Sequence, residues 1–248
     1  MNKTIGNILK SVLFINNIKC IFCDCELDID SRYCACNNCF KLLPFNSGKV
    51  CLKCGEPVTS LASYCIKCKQ SISRSFNKAR APFLYDDNIK TAILNLKFNN
   101  KKFLAEYLSY FIFDEFVKSN FKCDFVVPAP ISANRLKHRG YNQAELLCSA
   151  FTKNGIDVDV NCVVKILETE NQVGLNFAER QTNLTGAFKV TDKNKVKNKS
   201  IIVIDDIFTT GSTVSEIAQT LKDAGASEVN VLTLCHEVVK EQNNNTNN

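Results

Sequence analysis

No apolar run in the 248-residue sequence approaches the ~20 residues that a membrane-crossing helix needs, which excludes a helical span. The Gly-Lys pair of a nucleoside-triphosphate P-loop is missing, and so is the G-x-G-x-x-G fingerprint of a dinucleotide site. The opening stretch MNKTIGNILKSVLFINNIKC is partly apolar, but Asn7, Lys10, Asn16 and Asn17 interrupt it and no small-residue cleavage site follows. Residues 1–19 therefore read as an amphipathic lead-in helix of a cytoplasmic protein. The polar stretch 239–248 reads as a disordered tail.

Cysteine, by contrast, is abundant. Ten of the 14 cysteines fall between Cys20 and Cys68, and eight of them form C-x-x-C pairs: Cys20/Cys23, Cys36/Cys39, Cys51/Cys54 and Cys65/Cys68. Each block of two pairs has 10 to 12 residues between its pairs. That is the spacing of a zinc ribbon, in which two knuckles supply four thiolates to a tetrahedral ion. A disulfide scaffold would need an export route, and cytosolic thiols stay reduced. The repeat predicts two zinc ions in a double zinc ribbon over residues 20–70, with 71–82 as linker. Cys25 and Cys34 stand outside the pairs, and either can replace a neighbour as ligand. The zinc ligands expected are Cys20, Cys23, Cys36 and Cys39 for one ion and Cys51, Cys54, Cys65 and Cys68 for the other, with cross-bracing of Cys20/Cys23 and Cys51/Cys54 as an alternative.

The net charge of +6 belongs to the first third of the chain. Residues 1–82 carry 12 Lys/Arg against 5 Asp/Glu, and the remainder 19 against 20. Two Zn²⁺ with eight thiolates would lower the excess of the first third to about +3. Lys67, Lys69, Arg74, Lys78 and Arg80 still cluster at the module's exit, with Phe76, Phe83 and Tyr85 among and after them. Such a cluster suits an anion, and the rings suit stacking on nucleic-acid bases.

The clearest chemical signal is IIVIDDIFTTGSTV, residues 201–214. Ile201 to Ile204 read as a strand buried on both faces, ending in Asp205 and Asp206. Val214, Ile217, Ala218 and Leu221 recur at helical spacing, so a helix begins near Ser212 or Thr213 and stops at Gly225. A strand–loop–helix unit of this kind places its loop where open α/β sheets bind ligands. The helix N-terminus, Gly211 and the hydroxyls of Thr209, Thr210, Ser212 and Thr213 favour a phosphate, with Phe208 packed beneath. Vicinal sugar hydroxyls can donate to Asp205 and Asp206.

Upstream, two amphipathic helices separated near Asn99 and Asn100 carry the stripes Ile89, Ala92, Ile93, Leu96 and Leu104, Leu108, Phe111, Ile112, Phe116. Lys97 can snorkel over that surface or reach an anion, and standing alone it favours the former. A short strand, Phe125 to Val127, ends at Pro128-Ala129-Pro130. A basic loop with Arg135, Lys137, His138 and Arg139 follows, suited to a second phosphate group, and then a helix from about Asn142. His138 is given no catalytic role. Gln172, Arg180 and Asn183 fall in a polar loop ahead of a strand at Gly186 to Val190.

Taken in order, the C-x-x-C pairs, CNNCFKLLP, CLKCGEP, LKF, VVPAPIS, RLKHRGYNQA, QVGLNFAERQTNL and VIDDIFTTGST resemble the ComF (ComF/GntX) family over nearly the whole chain. The resemblance implies an α/β fold: a type I phosphoribosyltransferase-like parallel sheet flanked by helices over 83–238, preceded by the double zinc ribbon. It also implies that Asp205 and Asp206 contact the ribose of 5-phosphoribosyl 1-pyrophosphate (PRPP) and that Thr209 to Thr213 cradle its 5-phosphate. Pro128 to Pro130, with Arg139, take the pyrophosphate, which Mg²⁺ bridges to the ribose. Purine-type transferases carry an Asp where this chain has Thr209, which disfavours purine salvage. The family role implied is natural transformation, in handling internalised single-stranded DNA, with the ribbons meeting DNA, a DNA-import helicase or a recombination mediator. The other reading is an active phosphoribosyltransferase with an unidentified acceptor.

Overall fold

A computed structural model describes residues 18–27, 32–70, 74–167 and 184–238. The chain divides into two compact units between Leu43 and Pro44, so the two cysteine blocks belong to different units. In the smaller unit a bridge pairs Lys19 with Glu26, and a short helix α1 spans Asn37–Lys41. No helix among the described residues is long and apolar enough to cross a membrane.

The larger unit begins with the second cysteine block and its short helix α2, Ile66–Lys69. Cys51, Cys54 and Cys65 are buried in the same apolar core as the sheet. Gly55 explains part of this closeness. Its φ is +78°, and a Cβ there would stand 2.7 Å from the Ala79 carbonyl oxygen, so only glycine admits the neighbouring chain.

The sheet is parallel throughout. Strands β1 (Ala79–Arg80) and β2 (Phe83–Leu84) both pair with β7 (Glu228–His236), at its residues 231–232 and 235–236 respectively. Next come β6 (Ser200–Phe208) and β3 (Phe125–Pro128), giving the order β1-β7-β6-β3. Ile201 to Ile204 are fully buried, as a central strand covered on both faces requires. Helix α3 (Asp87–Phe98) starts at Asp86, whose carboxylate accepts the Ile89 N–H. It buries Ile89, Ala92, Ile93 and Leu96, the stripe the sequence predicts. Helix α4 (Phe103–Ser119) buries Leu104, Leu108, Phe111 and Ile112 and stops at left-handed Asn120. Phe116 is only half-buried, packed 5.5 Å from Phe151.

Three expectations shift. The basic run is not a loop but a helix, α5 (Ala133–Arg139), capped by Ser132 and closed by Gly140 at φ +77°. The helix predicted from Asn142 is broken into α6 (Gln143–Leu146) and α7 (Ser149–Lys153). Strand β6 runs on through Asp205 and Asp206 to Phe208, because β7 continues to pair with it up to Phe208 opposite His236. Strand β3 stops earlier, at Pro128 opposite Ile204. Beyond Ile204, β6 is thus paired with β7 alone, and the β3 side opens into a cleft. An antiparallel hairpin of β4 (Val163–Lys165) and β5 (Phe188–Val190) follows α7. Helix α8 (Lys193–Val196) leads into β6, and α9 (Ser212–Asp223) packs Val214, Ile217, Ala218 and Leu221 inward.

Candidate phosphosugar cleft and metal centres

Where β3 ends and β6 continues, a 360 Å³ cleft is lined by Asp205, Asp206, Thr209 and Thr213 on one side and Ala129, Pro130, Arg135 and Arg139 on the other. The helical form of α5 matters here. Arg135 and Arg139 are one turn apart and so share a face. Arg139 donates to the Gln143 amide oxygen, and Asn142 Nδ2 donates to the Ala129 carbonyl at 3.0 Å, fixing the turn after β3. Pro128, Thr210, Gly211 and Ser212 are not among the lining residues. Thr210 and Ser212 instead join their hydroxyls at 2.9 Å. Gly211, at φ +79°, caps α9, and a Cβ there would meet the Phe208 ring at 2.5 Å. The loop can lie on that ring only because the residue is glycine. Gln172, Arg180 and Asn183 lie outside the described residues.

The carboxylates are held unequally. Asp205 accepts the Asp206 N–H at 2.8 Å. Burial first, and the Asp206 charge second, raise its carboxyl well above the ordinary range. Asp206 pairs with Lys97, whose side chain is 19% exposed against 7% for the aspartate. Lys97 therefore does not merely snorkel: it reaches an anion, the Asp206 carboxylate. Lys165 and Phe188, register partners in the β4–β5 hairpin, also line the cleft. Four cations thus face two carboxylates, a balance suited to a ligand that presents both hydroxyls and phosphates.

The cysteines meet the geometry of a thiolate-bound ion. In the larger unit Cys51, Cys54, Cys65 and Cys68 have sulfurs all within 4.8 Å of one another, with Cys54 and Cys65 3.6 Å apart. A tetrahedral ion with Zn–S bonds of ~2.3 Å has sulfur–sulfur edges of about 3.8 Å. Burial pushes Cys54 up to about 12, a cost that a bound cation offsets. In the smaller unit the corresponding set is Cys20, Cys23, Cys25 and Cys36, with Cys23 and Cys36 3.8 Å apart. Cys39 adjoins Cys20, Cys23 and Cys36 by thiol contacts, and its N–H bonds the Cys36 sulfur at 3.4 Å. Cys34 turns away, to the Lys19 carbonyl.

A family profile for phosphoribosyl transferase domains matches residues 126–246, the stretch from β3 past β7 that builds the cleft. Over 223 residues the chain is 30% identical to competence protein F of Haemophilus influenzae, an alignment spanning 87% of this chain and 95% of that one. The chain belongs to the ComF family. It is also 30% identical over 192 residues to the DNA utilization protein YhgH of Escherichia coli K12, covering 75% and 83% of the two chains. With competence protein ComFC of Bacillus subtilis it shares 28% identity over 246 residues, covering 89% and 95%. In this ComF-family chain the sheet is the parallel, helix-flanked sheet of a type I phosphoribosyltransferase, with a cysteine-rich N-terminal region.

Other ComF-chain residues behave differently from their sequence reading. Phe76 and Phe83 are wholly buried and cannot stack on bases. Phe76 packs edge-on against Phe208, and Phe83 against Phe111. Arg74 is 7% exposed, and Arg80 donates to the carbonyls of Cys51, Leu52 and Ala79. The exit cluster is therefore partly structural. The exposed ring sits elsewhere: Phe98, with partly exposed Tyr85, buried Tyr141 and Arg135, His138 and Arg139, lines a 750 Å³ hollow that shares Lys97, Arg135, Arg139 and Ile207 with the cleft. No local pattern in the sequence announces that hollow, because its residues come from four separate segments.

Proposed function

We propose that the protein binds PRPP with Mg²⁺ and two zinc ions, and that it acts in the cytoplasm in handling internalised single-stranded DNA during natural transformation. The convergence of Asp205, Asp206, Thr209 and Thr213 with Arg135, Arg139 and Lys97 on one cleft carries the first part. Asp205 and Asp206 accept the ribose hydroxyls. The start of α9 and the loop hydroxyls donate to the 5-phosphate. Ala129, Pro130 and the two arginines of α5 receive the pyrophosphate, with Arg139 oriented by Gln143. Lys97 balances the carboxylates. The carboxylates and the ligand's phosphate oxygens form a hard donor set that suits Mg²⁺, which when bound neutralises pyrophosphate charge. One zinc falls to Cys51, Cys54, Cys65 and Cys68. The other falls to Cys20, Cys23 and Cys36, with Cys25 or Cys39 as fourth ligand.

The relatives named for competence and DNA utilization support the second part, as does the adjoining hollow, where the exposed Phe98 ring and the partly exposed Tyr85 ring stand with Lys97, Arg135 and Arg139. Arg139 lies 5.5 Å from the Phe98 ring centre there. Such a surface stacks bases and answers phosphates. The same hollow favours a second reading, transfer of the phosphoribosyl group to an acceptor seated against those rings. Pyrophosphate release with oligonucleotides or nucleobases as acceptors would separate transfer from binding. The cellular role is tested by deletion in a transformable host. Transformation should fail, and wild type should restore it where the Asp205→Asn/Asp206→Asn variant does not. A deletion strain that transforms normally contradicts the reading.

A further inference from the structure

Arg74 spans the distance between the second cysteine cluster and the phosphate loop. Its Nη1 donates to Cys68 Sγ at 2.9 Å and its Nη2 to the Thr210 carbonyl at 3.3 Å. Its guanidinium carbon lies 5.4 Å from the centre of the Phe208 ring. Among the described residues no carboxylate pairs with it, and Nε has no partner. A buried guanidinium is costly unless a charged acceptor answers it. A cysteine sulfur held by a metal is such an acceptor, fixed in place and negatively charged.

The loop end of the clasp is equally specific. Phe208 is the ring on which Gly211 rests, and His236 stacks on it at 4.7 Å. The Ser75 N–H donates to Ser215 Oγ at 2.9 Å, tying the next residue to the first turn of α9. A trans peptide is planar, with its C=O and N–H opposed. Drawing the Thr210 carbonyl toward Arg74 therefore directs the Gly211 N–H away from the cysteine cluster. The orientation of a loop donor is thereby coupled to a sulfur that a metal would fix.

We propose that Arg74 is a positioning residue through which metal occupancy of the Cys51–Cys54–Cys65–Cys68 cluster sets the affinity of the β6–α9 loop for the phosphosugar. The inference rests on the phosphosugar reading of that loop. Linkage makes the effect reciprocal: if the metal strengthens ligand binding, the ligand strengthens metal binding by the same factor.

The test uses the zinc-loaded full chain with PRPP and Mg²⁺ as probe, after calorimetry has established that the probe binds. A chromogenic chelator then competes for zinc with and without saturating probe. In wild type the probe should raise the apparent affinity for one of the two zinc equivalents by about tenfold and leave the other unchanged. Arg74→Ala should bind the probe more weakly and lose the protection. Arg74→Lys should not restore it, since one ammonium cannot hold sulfur, ring and carbonyl together. Wild type that binds the probe without protecting zinc overturns the coupling and leaves the phosphosugar reading standing. That arm does not depend on whether a variant folds. Undiminished protection in folded Arg74→Ala also overturns it, assigning Arg74 a merely structural part. Absence of probe binding in wild type overturns both.

Discussion

Lys97, at the last turn of α3, pairs with the carboxylate of Asp206 in β6, although 108 residues separate them in the chain. The pair links the helix laid over the sheet to the strand that carries the cleft's two acids. It also explains how a buried carboxylate and a half-buried one are tolerated side by side. Coulomb attraction from Lys97 opposes the burial and mutual repulsion that raise Asp205.

If this pair carries such a load, Lys97→Gln leaves Asp206 without its cation and should lower stability by about 3 kcal/mol. Adding Asp206→Asn should recover most of the loss, because neither charge then remains unanswered. Denaturant unfolding of the two single variants and the double variant measures the coupling. Additive losses would show that the two residues do not interact in solution.

The half-buried Asp205 carries a cost that depends on pH. Asp205 is raised to about 7 in the folded chain, against roughly 3.9 when unfolded. Between those values the unfolded chain has released its proton while the folded chain keeps it. Stability therefore falls as pH rises through the window, and the cost is fully present above the folded value. Asp205→Asn should melt higher than wild type at about pH 8 and indistinguishably from it near pH 4. The same change should weaken phosphosugar binding by roughly 10- to 100-fold. A variant that melts lower than wild type on the alkaline side would contradict this account of the site.

Redundancy distinguishes the two cysteine clusters. The smaller unit holds five clustered cysteines, and Cys25 and Cys39 both adjoin Cys23 and Cys36. Either Cys25→Ser or Cys39→Ser alone should retain two zinc ions per chain, and the double variant only one. The larger unit has Glu56 where the repeat would put a fifth cysteine, so Cys54→Ser should lose its ion outright. Elemental analysis of the purified variants decides. Loss of zinc from one single variant and not the other would identify a unique fourth ligand.

Local chemistry made much of this legible. The uninterrupted Ile201 to Ile204 run, the α9 stripe and the α3 and α4 stripes each show the period of the element they form. What escaped was set at a distance. The extension of β6 through Phe208 depends on β7, and the reach of Lys97 to Asp206 has no local signature. Arg74 and Phe76 read as exit-cluster residues because a cation and a ring near lysines look solvated. Burial under the sheet and against Phe208 gives them other partners. In α5 the basic run looks like a loop, but the Ser132 side chain accepts the Arg135 N–H and starts a helix there.

Calorimetric titration of the zinc-loaded chain with PRPP in the presence of Mg²⁺ tests the central claim most directly. The account predicts one ligand per chain, with affinity falling by 100-fold or more, on the order of two charge-assisted bonds, in the Asp205→Asn/Asp206→Asn variant. A folded wild-type protein that gives no binding, or a double variant that binds with unchanged affinity, would contradict it.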